Sequence, residues 1–236
     1  MARKDRAPNP PRKVQAPQQR RSQPSAEAAQ RQRRIVYGLA ASGFLALAVV
    51  LVLVLTGGGG GGTSDDQARA TLEDAGCTLQ MVTAVVNRSD HSDVPTPETK
   101  VNWNTDPPSN GLHYGQTIIY GAYDEPLQQQ LLVHNYEHGA VGMQYGSEVS
   151  QEDIQKMREA YDADPDGLVM APYPALGDKI AFTAWRDTTP NNNDKGQGIV
   201  AKCPSFDKAA FSAFEDAFGF QGPEAFPRDA LQPGGN

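Results

Sequence analysis

Residues 35 to 55, IVYGLAASGFLALAVVLVLVL, are 21 consecutive uncharged and mostly apolar positions. At helical rise, about 20 such residues cross the hydrocarbon core of a bilayer. The segment therefore predicts a transmembrane helix. A cleaved secretory signal would have a shorter apolar part, a shorter leader and a small-residue cleavage site before the glycines that follow, and the sequence has none of the three.

The flanks set the organisation. Residues 1 to 34 carry ten Lys and Arg against two acids, a net of +8, with five prolines and almost nothing apolar. Such a segment cannot bury enough surface to offset its conformational entropy and is expected to be a disordered tail. Lys and Arg beside a first span stay on the cytoplasmic side, so the tail is predicted inside and the rest of the chain outside a plasma membrane. The tail should be drawn to anionic inner-leaflet lipid. With −7 on the whole chain, the remaining residues carry −15. That balance excludes nucleic acid as a partner and leaves the bilayer, through residues 35 to 55, with an unidentified envelope protein as a further candidate. Residues 56 to 63 contain GGGGGG and read as a flexible linker. Residues 64 to 227 are of single-domain size, and residues 228 to 236 are expected to be a disordered tail.

The outer region holds both cysteines, Cys77 and Cys203, where oxidising conditions let disulfides persist. A bridge between them is favoured over a metal-thiolate pair, because neither has a second cysteine or a histidine close in sequence.

Within the outer domain, SDDQARATLEDAG predicts a helix over 65–75 capped by Ser64, and CTLQMVTAVV predicts a strand. Residues 91 to 115 carry Pro95, Pro97, Pro107 and Pro108 without a sustained period and read as a long structured loop. Asp124 as cap, Pro126 in the first turn and Gly139 as the stop predict a helix over 125–138. AVGMQY is a strand; SQEDIQKMREAY is a helix with Ser150 and Asp153 at its N-terminus; GLVMAPYP and KIAFTAW are strands; and SFDKAAFSAFEDAFG is a helix capped by Ser205 and stopped by Gly219. Helices and strands without a strict βαβ rhythm imply an α+β domain.

The segment LVHNYEHGAV holds the feature with most chemical content. On the predicted helix, Leu127, Leu131, His134 and His138 share one stripe, and two histidines at i and i+4 can converge on one ion. On a strand they would lie about 13 Å apart. His113, in PPSNGLHYG, is the candidate third ligand, and neutral imidazoles suit zinc or copper. Extracytoplasmic copper would favour His and Met ligands, and Met143 is near in sequence, although a lone Met in a strand is more often core. His91, in RSDHSD, reads as a solvated loop residue. The opposing reading is a metal-free cluster of hydrogen-bonded core histidines serving a protein-interaction module.

Two further patterns are weaker. His134, Glu137 and His138 spell H-x-x-E-H, in which Glu137 would act as general base of a zinc hydrolase; its downstream acidic ligand would have to be Glu152, Asp153 or Glu159, and nothing selects among them. Asp162, Asp164, Asp166 and Gly167 have the spacing of a calcium loop, but Tyr173 stands where that loop needs a bidentate glutamate, so a polar turn is preferred. No G-x-S-x-G or P-loop pattern occurs, and no organic cofactor is expected.

PPSNGLHYG, GAYDEPLQQQLLVHNYEHGAVGMQY and VMAPYPALGDKIAFTAW, in that order, resemble an uncharacterised family of membrane-anchored bacterial proteins, mainly actinobacterial, catalogued as domain of unknown function 3105. The resemblance covers roughly Cys77 to Phe226, with Asn110 departing where serine is common. It implies the same tail, span and domain architecture, and it implies that His113, His134, Glu137 and His138 belong to one recurrent motif set. It brings no established activity. The expectation is a three-histidine zinc or copper site formed by His113, His134 and His138, more plausibly non-catalytic than enzymatic.

Overall fold

The computed structural model describes residues 64–84, 91–188 and 196–235, all within the unit Gly61–Asn236. The tail 1–34, the apolar segment 35–55 and the linker 56–63 lie outside the described residues. Among those described, no helix is long and apolar enough to cross a membrane.

The domain is α+β, built on one six-stranded mixed sheet. In chain order the elements are α1 (Asp65–Asp74), β1 (Thr78–Thr83), β2 (Gly121–Ala122), α2 (Gln129–Glu137), β3 (Val141–Tyr145), α3 (Gln151–Ala163), β4 (Leu168–Pro172), β5 (Ile180–Arg186), β6 (Gln197–Cys203) and α4 (Lys208–Phe218). The strand order is β1-β6-β5-β3-β4-β2. β1, β6, β5 and β3 are antiparallel neighbours, while β3, β4 and β2 run parallel, with α3 as the crossover between β3 and β4.

Strand alternation sends successive side chains to opposite faces. Ile180, Phe182 and Ala184 of β5 and Ile199 and Ala201 of β6 face a core closed by α1, α3 and α4, where Leu72, Met157, Phe211 and Phe214 are buried. Met143 belongs to this core, as the bland expectation had it. Ala181 and Trp185 of β5, Gly198 and Val200 of β6 and Gly142 and Gln144 of β3 take the opposite positions, and Trp185 joins a second core with Leu132, Val133 and Tyr136 of α2 and with Tyr120. The sheet thus separates two layers. Helix α2 and the long loop lie on the second.

Several element ends are where the sequence places them. Ser64 accepts from the amide of Gln67 and Ser150 from that of Asp153. Helix α4 ends at Gly219, but its cap is Asp207 rather than Ser205: the Asp207 carboxylate accepts from Ala210 N at 2.8 Å. Strand β6 has no counterpart in the sequence reading, because Gly196 and Gly198 weaken the strand signal. Val85 and Val86 lie outside the described residues. Helix α2 is nine residues, not fourteen. Asp124 does not cap it; it lies on the exposed approach, 3.6 Å from Arg158, and no side chain caps the helix start at Gln128.

The bridge between Cys77 and Cys203 is present and closes β1 onto β6. The candidate calcium loop is a turn tied by a cation: Arg228 contacts Asp164 at 3.1 Å and Glu215 at 2.7 Å and donates to the Asp166 carbonyl. Residues 228–235, expected to be part of a disordered tail, are mostly exposed but are anchored at Leu231. Leu231 is buried, its carbonyl accepts from Gly167 N, and Tyr120 exchanges backbone bonds with Gly234 and Gly235. Leu231 fills a gap in the second core, which the Gly- and Pro-rich sequence around it conceals.

Candidate metal centre

Helix α2 is buried almost all round. Leu132, Val133 and Tyr136 face the sheet, while His134 and Glu137, at i and i+3, face the long loop. The predicted stripe is not the packing face of the helix: Leu127 packs on the second core but precedes α2, and Leu131 is only partly buried. A helix covered on every side has no polar face from which a stripe could be read. The close fit has a visible cause at Gly142, where a β-carbon would fall 2.9 Å from Tyr136 Cζ. At its C-terminal end, Gly139 adopts φ +101°, and the carbonyls of Glu137, His138 and Gly139 accept from the amides of Glu224, Phe226 and Phe220. The orphan carbonyls of the last turn are thus satisfied by the segment after α4.

The loop is held by side-chain bonds to backbone rather than by regular structure. Asn135 of α2 accepts from Ile118 N and donates to Ile118 O, both at 2.8 Å. Trp103 Nε1 donates to Leu112 O, and the Thr105 hydroxyl accepts from Ser109 N. Ser109 and Asn110 are buried against Gly198, where an added β-carbon would lie 2.0 Å from Asn110 Nδ2 and 2.3 Å from Ser109 Oγ. Asn110 Nδ2 also donates to Asn104 Oδ1 at 2.9 Å. This anchored turn delivers His113 beneath α2, its ring edge-on to Trp185 with centroids 6.0 Å apart.

One atom each from His91, His113, His134 and Glu137 converge, all within 4.8 Å of one another. His113 and Glu137 are fully buried, His134 nearly so, and His91 partly. Nε2 of His113 is 3.2 Å from Nε2 of His91 and 3.1 Å from Oε2 of Glu137, while Nε2 of His134 is 4.0 Å from the same carboxylate oxygen. Tetrahedral ligands about 2.0 Å from a metal lie about 3.3 Å apart, so these separations suit one ion.

The outer nitrogens decide which atoms face inward. His113 Nδ1 is 2.8 Å from Gly111 O, and His134 Nδ1 is 3.1 Å from Tyr114 O. A carbonyl can only accept, so each Nδ1 carries the proton, and in the neutral ring Nε2 presents a lone pair. In that form Nε2 of His113 presents its lone pair to the Glu137 carboxylate at 3.1 Å. Such an arrangement is held together by a shared proton or by a metal cation. Burial, assisted by His113 and His138, pushes the His134 imidazole down to about 4, so at neutral pH that ring is uncharged.

The site thus contains His113 and His134, adds Glu137, and includes His91, which the sequence reading placed in solvent. His91 sits on a 3-10 turn (His91–Asp93), over Gly115 and stacked on His134 at 4.8 Å. His138 falls outside the converging group. Its ring meets His134 edge-on at 4.5 Å and Phe226 edge-on at 4.7 Å, and burial lowers its pKa. At i+4 the two rings share a face, but His138 is the capping residue beyond the last turn, so it sits beside the cluster.

No curated protein and no solved structure matches the chain. A family model described as a protein of unknown function, DUF3105, matches residues 95–214, an interval that contains His113, His134, Glu137 and His138 but not His91. Since that match covers more than half of the 236 residues, the chain belongs to the DUF3105 family.

Proposed function

We propose that the domain binds one divalent transition-metal ion, zinc or copper(II), through Nε2 of His91, His113 and His134 and the carboxylate of Glu137, on the outer side of a membrane to which residues 35–55 anchor it. The observation that carries this reading is the convergence of one possible ligand atom from each of four residues, while Nδ1 of His113 and Nδ1 of His134 are each committed to a backbone carbonyl. Outward bonds of this kind fix the tautomer and orientation of metal-binding histidines. Three imidazoles and a carboxylate suit zinc or copper(II), and the disulfide leaves no thiolate to draw a softer ion.

Four protein ligands fill a tetrahedral shell, as in sites that hold a metal rather than activate a water. A hydrolase built on H-x-x-E-H would need His138 on the ion and Glu137 on a bound water. Here Glu137 lies among the ligand atoms and His138 does not, which favours metal holding or handling over hydrolysis. Membrane attachment is supported by the apolar segment and the basic tail, and an oxidising compartment by the disulfide. The metal-free alternative, a histidine cluster packing an interaction module, is supported by the His113–Glu137 contact, which a shared proton would also hold.

The test is metal analysis of the full-length protein purified without chelator. One equivalent of zinc or copper is expected in the wild type, and a small fraction of that in His113→Ala and Glu137→Ala. Equal metal content in all three overturns the reading. Protease sensitivity of the domain in intact cells tests its placement outside.

A further inference from the structure

The four converging ligands are closed in by protein on most sides. Trp185 and the sheet lie behind His113, and α2 carries His134 and Glu137. An ion reaching them must shed its water, and it will do so only where protein donors replace that water in steps. His91 leaves the cluster partly open on one side, and on another a series of donors leads to it from the surface. His138 is partly exposed, and its ring is 4.5 Å from that of His134. On its outer side it is covered by Phe226, which is 48 % exposed. Glu224, also exposed, acts electrostatically on His138 and is fixed nearby by its amide bond to the Glu137 carbonyl. The same short segment, 220–226, holds the last carbonyls of α2, so these groups keep a constant relation to the site.

Resting on the metal-binding reading above, we infer that His138 is the entry ligand of the site: it takes a divalent cation attracted by Glu224 and passes it to His134, with Phe226 as the movable cover. The motif histidine left outside the cluster then has a role in exchange rather than in holding. The charge on the outer region of the chain, −15, favours capture of a cation at such a port.

The experiment follows zinc uptake by the metal-free full-length protein in stopped flow, with a chromophoric zinc chelator in competition, and zinc release into EDTA. Relative to wild type, His138→Ala slows both uptake and release about tenfold and leaves Kd within about threefold, because a relay lowers the barrier in both directions. Glu224→Gln slows uptake about twofold, and only at low ionic strength. Phe226→Ala speeds both directions. Uptake that is unchanged or faster in His138→Ala overturns the inference in favour of a packing role. A Kd weakened more than about tenfold at an unchanged uptake rate overturns it in favour of a holding ligand. Should the alanine variant melt in EDTA below the assay temperature, His138→Gln, which keeps the bulk but binds zinc poorly, is read by the same criteria. His113→Ala separates the two readings. If wild type and His113→Ala are equally zinc-free, the site itself fails; if only the rates of His138→Ala are normal, the entry role alone fails.

Discussion

Nε2 of His113 stands 3.1 Å from Oε2 of Glu137, and both side chains are buried. Removing one partner of a buried hydrogen-bonded pair leaves the other unsatisfied, which costs about 1–3 kcal/mol and more where the remaining group is charged, whereas replacing both with apolar groups of like shape is far milder. In EDTA, His113→Phe and Glu137→Leu should each lower the urea unfolding free energy by roughly that amount. The double variant should lose clearly less than the sum of the two. Additive losses would show that the pair is not coupled.

The same cluster should make the metal-free domain sensitive to mild acid. Burial holds His134 at about 4 and lowers His138 as well, while both titrate near 6.5 once unfolded. Between those values the unfolded chain binds more protons than the folded one, so stability rises with pH through the window and falls on acidification. Urea midpoints measured in EDTA should drop between pH 6.5 and pH 5, above the range in which most carboxylates titrate, by a free energy of a few kcal/mol at most. His134→Asn should flatten the slope. An unchanged slope in that variant would assign the acid sensitivity elsewhere.

How far the site could be read from the sequence depended on the element. His113 and His134 are legible because a proline-rich turn presents the first and helical spacing ahead of a glycine stop the second. His138 is expected where Glu137 in fact stands, Glu137 being read only as a possible general base. His91 is not legible, since RSDHSD has no apolar neighbour and its partner surface comes from Gly115 and from α2, contacts remote in sequence. The one signal in the sequence is that an acidic chain has only four histidines; in the fold each has its ring against at least one other. Similarly, β6 is hidden by Gly198, whose missing side chain is what lets Ser109 and Asn110 dock. The strand signal is weak there because the site needs the space.

The disulfide lies on the opposite layer of the sheet from the cluster, in the core that contains Phe182 and Phe214. Joining residues 126 apart, it should contribute about 4–5 kcal/mol through restriction of the unfolded chain. Cys77→Ser/Cys203→Ser should therefore lower the thermal midpoint by many degrees yet still bind one metal equivalent at low temperature. Loss of metal in a variant that remains folded by circular dichroism would contradict this separation of layers.

Two glycines beneath the site should differ in how much they tolerate a methyl group. At Gly198 the new carbon would fall 2.0 Å from Asn110 Nδ2 and 2.3 Å from Ser109 Oγ, both buried and bonded, so the turn that delivers His113 has no room to give. Overpacking there should cost about 1–3 kcal/mol and displace His113. At Gly115 the carbon would meet His91 Cβ and Cγ at 3.2 Å, and His91 is partly exposed on a short turn that can move by a few tenths of an ångström. Gly198→Ala should thus weaken zinc by about 10-fold or more, as loss of a supporting shell does, and Gly115→Ala by only a few-fold. Competition titration against a chelator of known zinc affinity ranks the two, and the reverse order would mean that His91, not His113, is the more tightly positioned ligand.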